Sequence, residues 1–334
     1  MSKGNNIAYH LRHNKAVERN LFIDLLNKVN NCRNISDYTY VGFGGPFLED
    51  FKIIHSALKI NKMISLELIE NTHKRQKFNM PVACVDIGDQ PKSANDFIAT
   101  HSFSKRKRHI VWLDYTFPSE LNEQLNEVQS LCSKLNPFDI IKVTVNAHSE
   151  TLGKESSMQV SEDPRGFRAT RLAEVIGNFA PYPIQPKHVG SKFYPTTLLH
   201  TLKKAMNMGI SNRPEVIVQP LSAFYYADGQ GMLTATAIIL KNNDTTINRF
   251  FKKSRLFTWP FLDKQWSQPR NINVPTMSLK ERLLIESQLP NATPEEIIEA
   301  MGFFLSDDES QTRAQLSTFI EYQRAIPWFS KVQF

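Results

Sequence analysis

Apolar positions along the first 240 residues switch between two periods. From Asn14 to Asn31, the residues Val17, Leu21, Ile23, Leu25, Leu26 and Val29 fall at helical spacing and predict an amphipathic helix. Short apolar runs then alternate with helix-period stretches: strand 38–41, helix 48–58, strand 62–67, helix 71–78, strand 82–86, helix 92–100, strand 109–114, helix 119–134 and strand 139–145. Strands that alternate with helices need crossover connections, so the pattern predicts an α/β fold with a largely parallel sheet covered on both faces.

The pattern changes after Asn146. The segment 147–213 holds a polar piece (149–163), an Arg-bearing helix (165–178), a loop with Pro181, Pro183, Pro186 and Pro195, and a further helix (196–208). A connection this long inside an α/β unit is expected to be a lid or a substrate-reading element. Two β-rich runs, 215–226 and 232–240, flank Ala227-Asp228-Gly229-Gln230-Gly231, a turn signal that predicts a hairpin and an antiparallel last strand. Beyond Lys241, a linker rich in Asn, Asp and Thr leads to helical segments 279–288, 294–304 and 311–326, with Thr293 or Asn291 as the cap before Pro294. The expected organisation is an N-terminal helical segment (1–34), an α/β domain (35–242) carrying the insertion 147–213, and a helical C-terminal extension (243–334).

A hydrophobic content of 41% supplies a core for a chain of 334 residues and argues against disorder. Forty Lys and Arg against thirty-three Asp and Glu leave a formal charge of +7, which favours polyanions such as nucleic acid; a solvated basic surface is the bland alternative. Cys32, Cys84 and Cys132 are too few and too scattered for a disulfide framework or a metal cluster, so no metal site is expected and a reducing cytoplasm is the simplest setting. No run approaches the roughly 18 apolar residues of a membrane helix. The polar start, Met1 to Asn6, lacks the apolar core of a signal peptide, so a soluble protein with no membrane partner is expected.

Candidate chemistry begins at Tyr40-Val41-Gly42-Phe43-Gly44-Gly45-Pro46. A strand that runs into clustered glycines before a helix brings bare backbone up to a nucleotide-like ligand, which singles out Gly42, Phe43, Gly44 and Gly45. Glu67 ends the next strand, where a carboxylate accepts two ribose hydroxyls at once; Glu70 is the fallback, with an exposed helix-capping charge as its plainer role. Asp86-Ile87-Gly88-Asp89 follows the third strand, either as ligand-contacting acids or as an Asp-Gly turn. Asp114 and Tyr115 end the fourth strand at the crevice where open α/β sheets bind ligands, and Asn146 and His148 leave the fifth strand toward it. Asp114 is a candidate proton acceptor or cofactor orienter, with a structural carboxylate as competitor, and His148 is a candidate general base.

Several short motifs resemble a group of bacterial O-methyltransferase-like proteins within the class I S-adenosylmethionine-dependent superfamily. They are Leu11-Arg12-His13-Asn14-Lys15-Ala16-Val17-Glu18-Arg19, the glycine stretch, Met63-Ile64-Ser65-Leu66-Glu67, Arg75-Gln76-Lys77-Phe78-Asn79, Trp112-Leu113-Asp114-Tyr115 and Val143-Thr144-Val145-Asn146. The resemblance covers most of the first 240 residues. It implies a Rossmann-like methyltransferase sheet closed by an antiparallel hairpin strand, with S-adenosylmethionine as cofactor. Its methionine part would lie over Gly42, Gly44 and Gly45, its ribose on Glu67, and its adenine beside Asp89, with Asp86 second. Asp114-Tyr115-Thr116-Phe117 departs from the Asn/Asp-Pro-Pro-Tyr box of amino-group methyltransferases, which argues against N-methylation of adenine or cytosine. Methyl transfer from a sulfonium relies on alignment more than on acid–base chemistry, so the lack of a triad does not exclude an enzyme.

Basic and aromatic residues mark possible contacts with substrate. Arg165, Arg168 and Arg171, with Lys187, His188, Lys192 and Tyr194, belong to the insertion near the expected substrate entry, and such faces hold phosphates and stack bases. Lys105-Arg106-Lys107-Arg108 precedes the fourth strand at the opposite edge, where a solvated loop is the first expectation. Lys252 to Trp259 either joins the basic surface or docks the C-terminal helices. Three functions therefore compete: a methyltransferase acting on an unidentified acceptor, nucleic acid among the candidates; a methyltransferase-fold module that holds cofactor or nucleotide with protein partners, as in an antiviral system; and a nicotinamide-dependent dehydrogenase. The last is disfavoured by the missing third glycine of G-x-G-x-x-G and by the terminal hairpin.

Overall fold

The computed structural model describes residues 12–153 and 163–327. Leu11 and most of the polar piece expected at 149–163 lie outside the described residues. Among these, eight strands form one sheet in the order β3-β2-β1-β4-β5-β7-β6-β8. They are β1 (Thr39–Phe43), β2 (Met63–Leu66), β3 (Val85–Asp86), β4 (His109–Asp114), β5 (Ile140–Asn146), β6 (Val216–Ala227), β7 (Gly231–Lys241) and β8 (Arg270–Ile272). Strands β1 to β5 run parallel, and β7 slots antiparallel between β5 and β6. The expected hairpin is therefore present, and it is the inserted β7 that reverses direction. This is the Rossmann-like methyltransferase sheet.

Strand residues alternate between two cores, as the period of two requires. Tyr40, Ile110, Trp112 and Ile140 enter one core with helices α1 (His13–Asn30) and α2 (Glu49–Leu58). Val41, Val111, Leu113, Ile141 and Val143 enter the other with α4 (Ala94–Thr100), α5 (Leu121–Lys134), α6 (Pro164–Ile176) and α7 (Tyr194–Gly209). Burial on both faces is why the central strands read as nearly unbroken apolar runs. Helix α3 (Glu70–Phe78) is strongly polar, and its buried contacts, Thr72, His73 and Gln76, are hydrogen-bonding groups.

Two elements went unforeseen. The stretch after Lys241, whose composition suggested a linker, holds helix α8 (Asp244–Ser254). Its Asn-Asp-Thr start is a cap: the Asn243 side chain accepts from Thr246 N at 2.8 Å. Strand β8 is only three residues long and carries too little periodicity to register. The C-terminal helices α9 (Leu279–Gln288), α10 (Pro294–Met301) and α11 (Glu309–Tyr322) follow, and Thr293 is the cap of α10. Ile285, Ile297, Leu316 and Phe319 share the core that α1 occupies. Within 252–259, Leu256 and Trp259 are buried there, and Trp259 Nε1 donates to Asp24 on α1 at 2.7 Å, so this segment docks. Among the described residues no helix is long and apolar enough to cross a membrane.

Candidate functional site

Strand register brings the candidate residues to one level. Phe43 pairs with Leu66 and Gly42 with Trp112, so Gly44, Glu67 and Asp114 leave three adjacent strands side by side at their carboxyl ends. Asp114 in turn pairs with Thr144, two residues before Asn146. An open parallel sheet concentrates its ligand chemistry at this edge.

The glycine loop joins β1 to α2 and is shaped first by the protein itself. A Cβ on Gly44 would come within 2.2 Å of the Leu48 side chain and 2.7 Å of Ser65 Oγ, and one on Gly42 within 2.9 Å of the Tyr40 hydroxyl. Gly45 has φ +51°, in the left-handed region that favours glycine. Polar groups of α3 hold the loop: Gln76 Nε2 donates to Gly45 O at 2.9 Å, Asn79 Nδ2 donates to Pro46 O at 2.8 Å, and Ser65 Oγ donates to Gln76 Oε1 at 3.0 Å. Gln76 is fully buried. The Arg75-to-Asn79 motif thus acts as the strut of the glycine loop, a role the sequence reading missed.

Glu67 follows β2 and is half-buried; its Oε1 accepts from Ile69 N at 2.8 Å, and burial raises its pKa against that bond. Glu70 is exposed in the first turn of α3 and pairs with Lys74 at 2.7 Å, the plainer of its two expected roles. Asp86 spends its Oδ1 on Gly88 N at 2.9 Å, with Gly88 at φ +73°, which makes an Asx turn. Asp89 offers its backbone carbonyl to Lys77 Nζ at 2.9 Å.

Asp114 is locked into a buried charge network supplied by α1. Lys15 Nζ lies 2.7 Å from Asp114 Oδ2, Glu18 pairs with Lys142 on β5, and Arg19 pairs with Asp50 on α2. Burial alone would raise the Asp114 pKa, but Lys15, with Arg19 and Lys142 behind it, holds it below the usual carboxylate range. The second oxygen, Oδ1, is buried without a hydrogen-bond donor among the described residues. Lys142 is sandwiched with its ammonium 4.5 Å from the ring centres of both Phe22 and Trp112. Asp228, from the hairpin turn, accepts from the backbone N–H groups of Asn14 and Lys15 at 3.1 and 2.8 Å and so fixes the start of α1 over this edge.

The remaining candidates divide. Tyr115 is buried, and its hydroxyl donates to Glu127 Oε2 on α5 at 2.5 Å, away from Asp114. Asn146 donates to Gln230 Oε1 at 3.0 Å and accepts from His148 N at 3.0 Å. His148 is half-exposed, with Nε2 3.5 Å from Glu150.

The chain matches, over residues 7–334, the family described as "Putative O-methyltransferase". It belongs to this family. Among curated proteins no sequence matches significantly. Among solved structures, it is similar to Trm1 from Pyrococcus horikoshii in complex with S-adenosyl-L-methionine (11% identity, 89% of this chain and 83% of that one, TM-score 0.41). It is also similar to an O-methyltransferase from Bacillus cereus in complex with SAH (10% identity, 71% and 84%, TM-score 0.36). A third likeness is to the O-methyltransferase TomG from Streptomyces achromogenes in complex with SAM (11% identity, 71% and 92%, TM-score 0.34).

In this member of the O-methyltransferase family the expected substrate-side residues stand on α6 and around the start of α7, in different surroundings. Arg165 is exposed and Arg168 half-buried on α6, with Arg168 Nε unpartnered among the described residues. Lys192 is exposed, 5.9 Å from the Phe193 ring centre. Tyr194 is a core residue, 2% exposed at the start of α7, because its ring completes the apolar face of that helix. Two clefts lie away from the glycine loop. One, of about 520 Å³, is lined by Pro181, His200, Lys203, Lys204, Asn207 and Met208. The other, of about 540 Å³, opens at the amino ends of the strands and includes Asp86 in its wall.

Proposed function

We propose that the chain is an S-adenosylmethionine-dependent methyltransferase whose cofactor lies at the carboxyl edge of β1 and β2. The observation that carries this is the shared level of Gly44, Glu67 and Asp114 on three neighbouring strands. The donor set suits such a cofactor. The bare backbone of Gly42 to Gly45 would face its methionine part, Glu67 its ribose, and Asp89 its adenine; Asp86, level with Ile64 and in the wall of the amino-edge cleft, drops out as the second candidate. A buried acceptor without a donor, Asp114 Oδ1, suits a cationic or proton-bearing group. When bound, the cofactor supplies an electrophilic methyl group. The chain's own residues align the acceptor: Asp114 receives or orients its proton-bearing atom, and Asn146 and His148 flank the same edge. Nucleic acid is the acceptor class that Arg165, Arg168 and the +7 charge favour.

Thermal shifts with S-adenosylmethionine, S-adenosylhomocysteine and NAD test the cofactor. A ligand at a hundred times its dissociation constant adds about 2.7 kcal/mol. The first two are expected to raise the Tm and NAD to leave it unchanged; no shift with either sulfur compound overturns the proposal. Labelled methyl transfer into extracted RNA, DNA and protein then identifies the acceptor.

A second function, a module that binds the cofactor without transfer, is favoured by one observation. Asp114 and Tyr115 are both engaged, by Lys15 and Glu127. Binding of S-adenosylmethionine with no label in any fraction would select it.

A further inference from the structure

The run Lys105 to Arg108, which the methyl-transfer site leaves unused, belongs to a built surface at the opposite edge of the sheet. The loop joining α2 to β2 brings Asn61 and Lys62 to the amino ends of the strands, and the loop joining α4 to β4 brings His101, Ser102, Ser104 and Lys107. Together these line an open cleft of about 540 Å³. Exposed Lys59 precedes Asn61 on the first loop, and exposed Lys105 and Arg106 precede Lys107 on the second. Asp86 is the carboxylate in the wall, and its Oδ1 already accepts from Gly88 N at 2.9 Å.

The cleft is fixed from beneath. His101 and His109 share an Nε2···Nε2 contact of 3.1 Å, and Phe97 stacks on His101 with ring centres 4.5 Å apart. Asp139, fully buried, accepts from His109 N at 2.8 Å. Arg108 Nη1 donates to the carbonyls of Lys105 and Lys107 at 2.8 and 3.0 Å, which braces the basic loop.

We infer that this amino-edge cleft binds the sugar–phosphate backbone of a nucleic-acid strand, with Lys62 and Lys107 neutralising phosphates and Ser102, Ser104 and Asn61 donating to their oxygens. Lysines and hydroxyl or amide side chains are the groups that hold phosphates without reading bases. The surface lies across the strands from the glycine loop, roughly 20 Å away for a six-residue strand. It therefore anchors a strand and does not present the methyl acceptor. Nothing in this inference requires the cofactor site.

The test is fluorescence anisotropy of the full chain, without cofactor, on single-stranded RNA and DNA of about twenty nucleotides across a salt series. Each lost phosphate contact lowers the slope of log affinity against log salt by about 0.7 for single strands, so Lys62→Ala/Lys107→Ala is expected to lower it by about 1.4 and to weaken all sequences alike. Both lysines are exposed, so the variant retains its melting temperature. Lys252→Ala/Lys253→Ala on α8 is expected to change neither affinity nor slope. The inference is overturned if the Lys62/Lys107 variant binds like the parent, if the α8 variant carries the loss, or if inorganic phosphate competes as well as the strand. Loss of S-adenosylmethionine binding would bear on the carboxyl edge alone.

Discussion

The ammonium of Lys15 sits 2.7 Å from Asp114 Oδ2 with only 7% and 11% of the two side chains exposed, so the first helix is tied by charge to the tip of β4. Replacing Lys15 by Met would leave a buried carboxylate whose Oδ1 already has no donor among the described residues. Breaking a buried pair from one side costs about 3–5 kcal/mol. With Arg19 and Lys142 still acting on Asp114, the expected loss is at the low end of that range, read as a fall in denaturant midpoint.

The same pair predicts a pH dependence. The Asp114 pKa is lowered in the folded protein from 3.8, so its contribution is fully present above 3.8 and lost as pH falls through the lower folded value. In Lys15→Met burial remains without its principal counter-charge, and the carboxyl pKa rises. The stability gap between parent and variant should therefore be widest near neutrality, begin to narrow as the pH falls through the variant's raised value, and close as it falls through the parent's lowered one. A gap that is constant from neutral to acid would show that the pair carries no linkage.

Glu18 and Lys142 form a second buried pair, 1% exposed on each side, in the middle of the sheet. Glu18→Met removes the hydrogen-bonded partner of the ammonium and should cost about 3–5 kcal/mol, whereas Glu18→Met with Lys142→Met should recover much of it, because an apolar replacement of both partners is often neutral. A double-mutant cycle in chemical denaturation measures this; additive losses would mean that the two groups do not interact.

Much of the scaffold was legible because it obeys simple periods. Strand 109–114 and helix 279–288 match their elements residue for residue, and Asp228-Gly229 marked the hairpin turn. The charge network was not read, although it left signals. Lys142 interrupts the apolar run of a central strand, and Asn14, Lys15, Glu18, Arg19 and Phe22 form a stripe at spacings of three and four on a helix. A buried charge announces that a partner exists without naming it; only the fold brings Glu18 to Lys142, 124 residues away. The glycine loop was found for a reason that needed amending: its glycines are demanded by Leu48, Ser65 and Tyr40 before any ligand approaches. Tyr115 and Tyr194 looked functional because tyrosine suits both sites and cores, and burial decided their surroundings.

Gln76 should matter beyond its own burial, because its amide bridges Ser65 on β2 and the Gly45 carbonyl. Gln76→Ala removes both bonds in a fully buried position and is expected to cost about 1–3 kcal/mol. If the loop cradles the cofactor, affinity for S-adenosylhomocysteine by calorimetry should fall as well, since the backbone loses its brace. A variant that is destabilised with unchanged affinity would confine Gln76 to a packing role.

Glu67 and Glu70 offer a paired test of which carboxylate faces the cofactor. Glu67 is half-buried at the level of Gly44, with Oε1 on Ile69 N; Glu70 is exposed and held by Lys74. Glu70→Ala removes a surface i,i+4 pair and should change stability by less than about 0.5 kcal/mol and affinity not at all. Glu67→Ala should leave the protein folded yet weaken S-adenosylmethionine binding by one to two orders of magnitude, since a carboxylate to hydroxyl bond is worth about 1.5–3 kcal/mol. Burial raises the Glu67 pKa, so binding in the parent should also weaken as pH falls toward that raised value, while Glu67→Ala shows no such dependence. The reverse result, with Glu70→Ala impaired and Glu67→Ala intact, would move the ribose site to the first residue of α3.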